Sequence, residues 1–146
     1  MCAGSIQLNI SHMKTSVIKE QFSIDYILNS SVKILFNRLS CPLGLSEWFA
    51  DNVTLKDDIF TFHWGKHSQK ARLLSIKEPD YIRFKWIDNK ASESENDYYF
   101  EFQVFQDDLT GDVHLTVTDF ASPDEIEDAK ILWDTQINDL IRLIGA

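Results

Sequence analysis

Cysteine, proline and glycine are scarce in this sequence. Its 146 residues contain two cysteines, three prolines and five glycines. Two cysteines, Cys2 and Cys41, do not make the disulfide framework of a small secreted domain. The N-terminal segment lacks the basic start and long apolar core of a secretory signal, and no apolar run approaches the ~20 residues that span a bilayer. We therefore expect a cytoplasmic protein without a membrane span.

Basic residues are also few. Fourteen lysines and arginines stand against 23 aspartates and glutamates, which gives a formal net charge of −9. An acidic surface is repelled by the phosphate backbone of nucleic acids and by anionic membranes, so neither is an expected partner. The charge is compatible with a basic or neutral surface on another protein. One functional hypothesis is therefore a protein-interaction module.

Sequence motifs of catalysis and of cofactor binding are absent. The chain has no nucleophile elbow, phosphate-binding loop, HExxH, CxxC or dinucleotide fingerprint. The histidines of the predicted strands, His63, His67 and His114, are widely spaced and more typical of surface or turn residues than of a metal site. The thiol of Cys41 is more typical of a small buried residue. We predict no catalytic residue, no cofactor and no metal; an enzyme would need an inward-facing acid/base pair, for which the candidates are Asp119 and His114.

The length of the chain indicates one domain. A chain of 146 residues and 16.9 kDa is long enough to bury a full hydrophobic core, and no linker-like stretch divides it. Ser11, His12 and Met13 look like the remnant of a cloning site, which would place the natural start at Met13. We therefore predict that residues 1–12 are a tag or a disordered extension and that residues 13–146 form a single domain.

Aromatic rings are abundant, and many of them lie in segments of alternating polarity. Aromatic residues make up 12% of the sequence. Alternation predicts a first strand from Ile18 to Leu28, and apolar residues three and four apart predict two short helices, Val32 to Leu39 and Leu43 to Ala50. From Val53 to Phe120, alternation and turn residues predict about six antiparallel strands joined by short links, with a longer polar loop from Asp88 to Asp97.

The last segment, Ser122 to Ile144, is the strongest helix prediction. Ser122 is placed as the N-cap, Pro123 at the first helical position, and Glu125 completes a capping box. Apolar residues recur at spacings of three and four, so an apolar stripe roughly 30 Å long needs cover. A sheet with one apolar face also needs another element to cover that face. We therefore predict an α+β fold in which a curved antiparallel sheet of about seven strands wraps the long C-terminal helix, with two short helices after the first strand.

Four segments of the chain resemble a known family. They are Leu39 to Asp51, with a proline and a Trp-Phe pair; Ala71 to Trp86, two strands joined by a Glu-Pro turn; Tyr99 to Phe120; and Ile131 to Leu143, with a tryptophan followed by spaced aliphatic residues. The family is the activator of heat shock protein 90 ATPase homologues, within the START-like (SRPBCC) superfamily. The sequence departs from it at Leu132, where the family commonly has glycine. The resemblance implies a helix-grip fold over almost the whole chain.

The resemblance also implies a binding function. Members of the superfamily bind lipids, hormones or polyketides in a cavity between the sheet and the long helix, so a hydrophobic small molecule is the implied ligand. The eukaryotic chaperone activators carry a separate N-terminal domain that binds the chaperone, and nothing in this chain corresponds to it. The alternative hypothesis is a protein-interaction module or a protein like a chaperone cofactor, with an acidic surface.

The candidate site consists of aromatic residues on the predicted inward face of the strands. Packed solid, these rings are simply a core; with space between them, they line an apolar pocket that a few polar atoms make selective. The sequence leaves both interpretations open. The candidates for ligand binding are Tyr26, Trp48, Phe60, Phe62, Trp64, Phe84, Trp86, Phe100, Phe102, Asp119, Trp133 and Ile137.

Overall fold

The fold is a seven-stranded antiparallel sheet in the order β1-β7-β6-β5-β4-β3-β2, with helices on one face. It is taken from a computed structural model that describes residues 18–87 and 98–145, so the predicted extension 1–12 and the predicted loop Asp88 to Asp97 lie outside the described residues. The strands are β1 (Glu20–Leu28), β2 (Asn52–Lys56), β3 (Ile59–Trp64), β4 (His67–Lys77), β5 (Tyr81–Ile87), β6 (Phe100–Gln106) and β7 (Val113–Ala121).

Two short helices follow β1, as predicted, but the second is shorter than expected. Helix α1 (Val32–Ser40) begins where the hydroxyl of Ser31 accepts a hydrogen bond from the Ile34 N–H at 3.1 Å. Helix α2 (Pro42–Leu45) was predicted to continue to Ala50. It ends early because the backbone bonds tighten after Ser46: the Glu47 N–H donates to the carbonyl of Gly44 at 3.1 Å, and the chain continues as turns. The indole of Trp48 points inward and donates to the carbonyl of Arg38 at 2.8 Å.

The long helix α3 (Ile126–Ile144) starts one turn later than predicted. Pro123–Glu125 forms a short 3-10 turn, and the Ser122 side chain makes no capping bond to the backbone. Its hydroxyl lies 2.6 Å from a carboxylate oxygen of Glu125 and donates to it, so the predicted capping box is wrong in detail. The predicted stop is confirmed, since Gly145 adopts a left-handed conformation with a φ of 73°.

Turns and one bulge shape the sheet. Asp57 and Asp58 both have positive φ angles, 53° and 65°, which suits the tight hairpin turn between β2 and β3. In β4 the register with β5 shifts between Leu73 and Ser75. Such an extra residue bends a strand and increases its twist. The sheet therefore curves, and the helices lie on its concave face.

The hydrophobic core lies between the concave face and the helices. Helix α3 contacts β1 and β7, whereas α1 contacts β5 and β6 and α2 contacts β2. The predicted stripe of α3 is the side that packs inward, because Trp133, Ile137 and Leu140 are buried. Within the described parts of the chain, no helix is long and apolar enough to cross a membrane.

Candidate functional site

The predicted tryptophans and phenylalanines come together in one cluster on the concave face. Ring centroids of neighbouring members lie about 5 to 6 Å apart; Phe84 and Phe100, for example, stack at 4.8 Å. Phe49 joins the cluster from the turn after α2, and its ring stacks on Trp133 of α3 at 6.0 Å. Sequence reasoning did not include Phe49 among the candidates, although it follows Trp48 directly. The candidates that lie buried here are Trp48, Phe60, Phe62, Phe84, Phe100, Phe102, Trp133 and Ile137.

The centre of this ring cluster is filled. Phe62, Phe84, Phe100 and Phe102 each have 0% of their surface accessible. A side chain with no accessible surface has no water-sized space against it, whether inside or outside the protein. These four rings therefore pack like an ordinary protein interior and contribute mainly to stability.

The edge of the cluster is different, because two tryptophans there are only partly buried. We call Trp64 of β3 and Trp86 of β5 the tryptophan rim. Their centroids are 6.4 Å apart, and Trp86 stacks on the buried Phe100 at 4.9 Å. The indole N–H of Trp64 donates to the carbonyl of Phe49 at 2.7 Å, which fixes the orientation of that ring. The rim thus offers accessible aromatic surface that is continuous with the core.

Asp119 ties the sheet to the long helix. Its Oδ2 accepts a hydrogen bond from the indole N–H of Trp133 at 2.9 Å, and its Oδ1 accepts one from the Phe120 N–H at 2.8 Å. Burial raises the pKa of Asp119 to about 6, although both hydrogen bonds and the charge of Lys19 act in the opposite direction. The sequence made Asp119 a candidate for ligand binding and for acid/base chemistry, and the bond to α3 was missed.

A second tie joins β1 to the same helix. The Tyr26 hydroxyl donates to Oδ1 of Asp134 at 2.7 Å. Burial raises the pKa of Tyr26 above its usual range, and the hydrogen bond to Asp134 adds to the shift. Because Tyr26 and Asp119 are both engaged with α3, their polar atoms hold the helix in place.

The acid/base pair considered for an enzyme is not brought together. Asp119 lies on the concave face of β7, whereas His114, an odd number of residues away, lies on the convex face. There His114 Nδ1 is 3.0 Å from Oδ2 of Asp25. Among residues 18–87 and 98–145, no group of three or more His, Cys, Asp and Glu side chains is placed to hold a metal ion.

A surface cavity of about 320 Å³ lies away from the ring cluster. It is found at one end of the paired strands β1 and β7, and it contains none of the residues predicted from the sequence. Its lining consists of Ile27, Leu28, Asn29, Ser30, Gly111, Asp112 and Val113.

Comparison with known proteins gives a family and a fold. The model of a family described as a START-like superfamily domain matches residues 16–146. A Bacteroides fragilis protein solved by NMR is 40% identical, with 86% of this chain and 90% of that chain covered and a TM-score of 0.62. The Aha1 dimer from Colwellia psychrerythraea is 11% identical, with 86% and 96% covered and a TM-score of 0.71. A protein from Cytophaga hutchinsonii is 14% identical, with 90% and 97% covered and a TM-score of 0.69. No curated protein matches.

Proposed function

We propose that this chain, which belongs to the START-like superfamily, binds a flat apolar small molecule at the edge of the space between the sheet and α3. The observation that carries the proposal is the tryptophan rim. Trp64 and Trp86 are partly buried, whereas the rings behind them are fully buried. A ligand that stacks on the rim extends the existing aromatic core outward.

The filled centre of the ring cluster limits where the ligand binds. Deeper binding would displace Phe62 or Phe100 from a packed position, and disturbing a core in this way costs a few kcal/mol. Stacking on the rim needs no such displacement. Covering about 100 Å² of apolar ring surface contributes on the order of 2.5 kcal/mol. The rim therefore favours a planar ligand that contacts both indoles.

The two ties to α3 also favour the rim as the position of the ligand. Tyr26 and Asp119 hold the helix against β1 and β7, on the side of the sheet away from Trp64 and Trp86. Opening that side would break two hydrogen bonds to carboxylates, each of which contributes about 1–3 kcal/mol. In this proposal the ties keep α3 fixed while the ligand occupies the rim. The other residues predicted for the site support the rim from behind.

Fluorescence titration tests the proposal. The purified chain is titrated with a fatty acid, a sterol and a planar polycyclic aromatic compound, and native mass spectrometry checks for a co-purifying ligand. We expect the planar compound to quench tryptophan fluorescence. Trp86→Leu should weaken its binding about tenfold, which corresponds to ~1.4 kcal/mol, whereas Trp86→Phe should retain most of the affinity.

The matched control is Phe105→Thr, which removes an exposed aromatic ring from the convex face. It should leave binding of the planar compound unchanged. The proposal fails if no member of the panel binds, or if Trp86→Leu remains folded and binds as tightly as the unaltered chain. Circular dichroism on each variant establishes the folded state.

A protein-interaction module is the second candidate function. The net charge of −9 and several exposed apolar side chains favour it. A role like that of a chaperone cofactor, and membership of the activator family within the superfamily, belong to this alternative. Salt-sensitive association with one dominant protein partner, together with no binding of any small molecule in the panel, would favour it over the tryptophan rim.

A further inference from the structure

Two exposed apolar side chains lie on either side of a histidine on the convex face, opposite the helices. Ile27 of β1 pairs with His114 of β7, and His114 pairs with Phe105 of β6, so the three lie side by side across about 10 Å. Ile27 is 61% exposed and Phe105 is 48% exposed. The imidazole of His114 stacks on the Phe105 ring with centroids 4.6 Å apart. We call these three residues the convex stripe.

The convex stripe continues into the surface cavity at the end of β1. Ile27 belongs to both, because it also lines the cavity of about 320 Å³. The strand that carries Phe105 leads into the β6–β7 turn, where Leu109 is 95% exposed. Large apolar side chains scattered singly over a surface need no explanation, but a row of them beside a cavity is typical of an interaction site.

The charges around this surface are acidic. Asp107, Asp108 and Asp112 lie in the β6–β7 turn, and Asp25 lies next to the convex stripe on β1. Oδ1 of Asp107 accepts hydrogen bonds from two backbone N–H groups of the turn, at 2.7 and 3.1 Å, and these bonds hold the pKa of Asp107 below its usual value. The cation nearest in sequence to the cavity is Lys33, in the first turn of α1.

Asp25 is held in place by its neighbours on β7. Its Oδ2 lies 3.0 Å from His114 Nδ1, and its Oδ1 accepts a hydrogen bond from the Thr116 hydroxyl at 3.1 Å. Its side chain is nevertheless about half exposed. The carboxylate is therefore fixed beside Ile27 and His114 and remains open to a partner, so Asp25 itself loses little further rotamer freedom when it pairs with a positive group.

We propose that the convex stripe and the β6–β7 turn form a docking surface for a segment of a partner protein that carries lysine or arginine together with apolar side chains. The acidic charge of this surface favours a basic segment of a partner protein over a second copy of this chain. A second copy of this chain would bring two acidic turns together, and like charges in contact oppose association. A basic segment neutralises the turn while its apolar side chains cover Ile27 and Phe105. This surface is on the other side of the sheet from the tryptophan rim and does not depend on it.

NMR titration with defined peptides tests the proposal. The probes are short synthetic peptides in which lysine alternates with phenylalanine, glutamate with phenylalanine, and lysine with serine. We expect only the lysine–phenylalanine peptide to bind, with amide shift changes centred on Ile27, Phe105, Leu109 and His114. Binding should weaken as salt is raised. Asp108→Lys should reduce the affinity, and the exposed Glu127→Lys on α3 serves as its charge control.

A matched pair of variants separates the docking surface from general hydrophobicity. Phe105→Thr should weaken peptide binding at least tenfold, whereas Leu55→Thr, at a side chain 46% exposed on the far edge strand β2, should not. The proposal is overturned if the glutamate peptide binds equally well, if the shifts map elsewhere, or if both variants behave alike. It is also overturned if sedimentation shows a dimer that Phe105→Thr dissociates.

Discussion

The carboxyl group of Asp119 should make the stability of this fold depend on pH. Burial raises its pKa from 3.8 to about 6 in the folded chain. A carboxyl group whose folded pKa is raised binds its proton more tightly in the folded state than in the unfolded state. Its contribution to stability is therefore complete below the unfolded pKa and is lost as the pH rises through the folded pKa. Above about pH 6 the fold carries a partly buried, ionised Asp119.

The size of this effect follows from the shift in pKa. The difference between 3.8 and about 6 is roughly 2 units, and at ~1.4 kcal/mol per unit it corresponds to about 3 kcal/mol. Asp119→Asn removes the titration and keeps an oxygen that can accept from the Trp133 indole. The amide also places an N–H₂ group where an oxygen now accepts, which adds a fixed cost of about 1–3 kcal/mol at every pH. The pH dependence is therefore the informative quantity.

Urea unfolding from about pH 4 to about pH 7.5 measures that dependence. Relative to the unaltered chain, the stability of D119N should improve by about 2.4 kcal/mol across this range, because the carboxyl group of the unfolded chain is already partly ionised at pH 4. The exposed Glu127→Gln supplies the baseline for the loss of a surface carboxylate. The Trp133 indole N–H resonance should shift in the same range, with a midpoint near pH 6. Parallel pH profiles for D119N and the unaltered chain, or an indole resonance that does not titrate between pH 4 and 7.5, would refute the reasoning.

Two further predictions concern packing and the second tie. Gly44→Ala should destabilise the fold by about 1–3 kcal/mol in thermal unfolding, because a Cβ there would lie 2.6 Å from the Asn37 carbonyl oxygen of α1. The control Leu43→Ala, at a residue 75% exposed, should change stability by less than about 0.5 kcal/mol. Tyr26→Phe should cost about 1 kcal/mol through loss of its bond to Asp134. In a double-mutant cycle measured by urea unfolding, Asp134→Ala, which removes the acceptor, should then cost less in the Tyr26→Phe background; equal costs in both backgrounds would contradict the tie.

The sheet and its inward face were predictable because the signal is local. Alternation in Tyr81–Ile87 places Ile82, Phe84 and Trp86 on one side whatever the rest of the chain does, and β5 has this pattern. The long helix was predictable for the same reason, from apolar residues at spacings of three and four. The first turn of the helix was not predictable, because the Ser122 hydroxyl can either accept from backbone N–H groups or donate to two nearby carboxylates, and it does the latter.

The polar contacts were not predictable, because they join residues that only the topology brings together. β1 pairs with β7, so Asp25 meets His114, 89 residues away. The bond between Asp119 and Trp133 spans a strand-to-helix turn whose geometry is set by packing. One local signal did exist. Asp119 has the same parity as Leu115 and Val117 on an apolar strand face, and a buried carboxylate requires a donor. The indole of Trp133 on the facing helix stripe was the donor available.

Strand β7 separates the two proposed activities. On its concave side Asp119 bonds to α3, and on its convex side His114 stacks on Phe105. Within the part of the chain that the structure describes, the two sides share a backbone but no hydrogen-bonded side chain, since the bonds of Asp119 go to Trp133 and Phe120 and those of His114 to Asp25. Substitutions more than about 7–10 Å apart that share no partners usually have independent effects on stability and binding. Trp86→Leu should therefore weaken binding of the planar compound and spare the peptide, while Phe105→Thr should do the reverse. Loss of both activities in either variant would mean that the two faces respond as one unit.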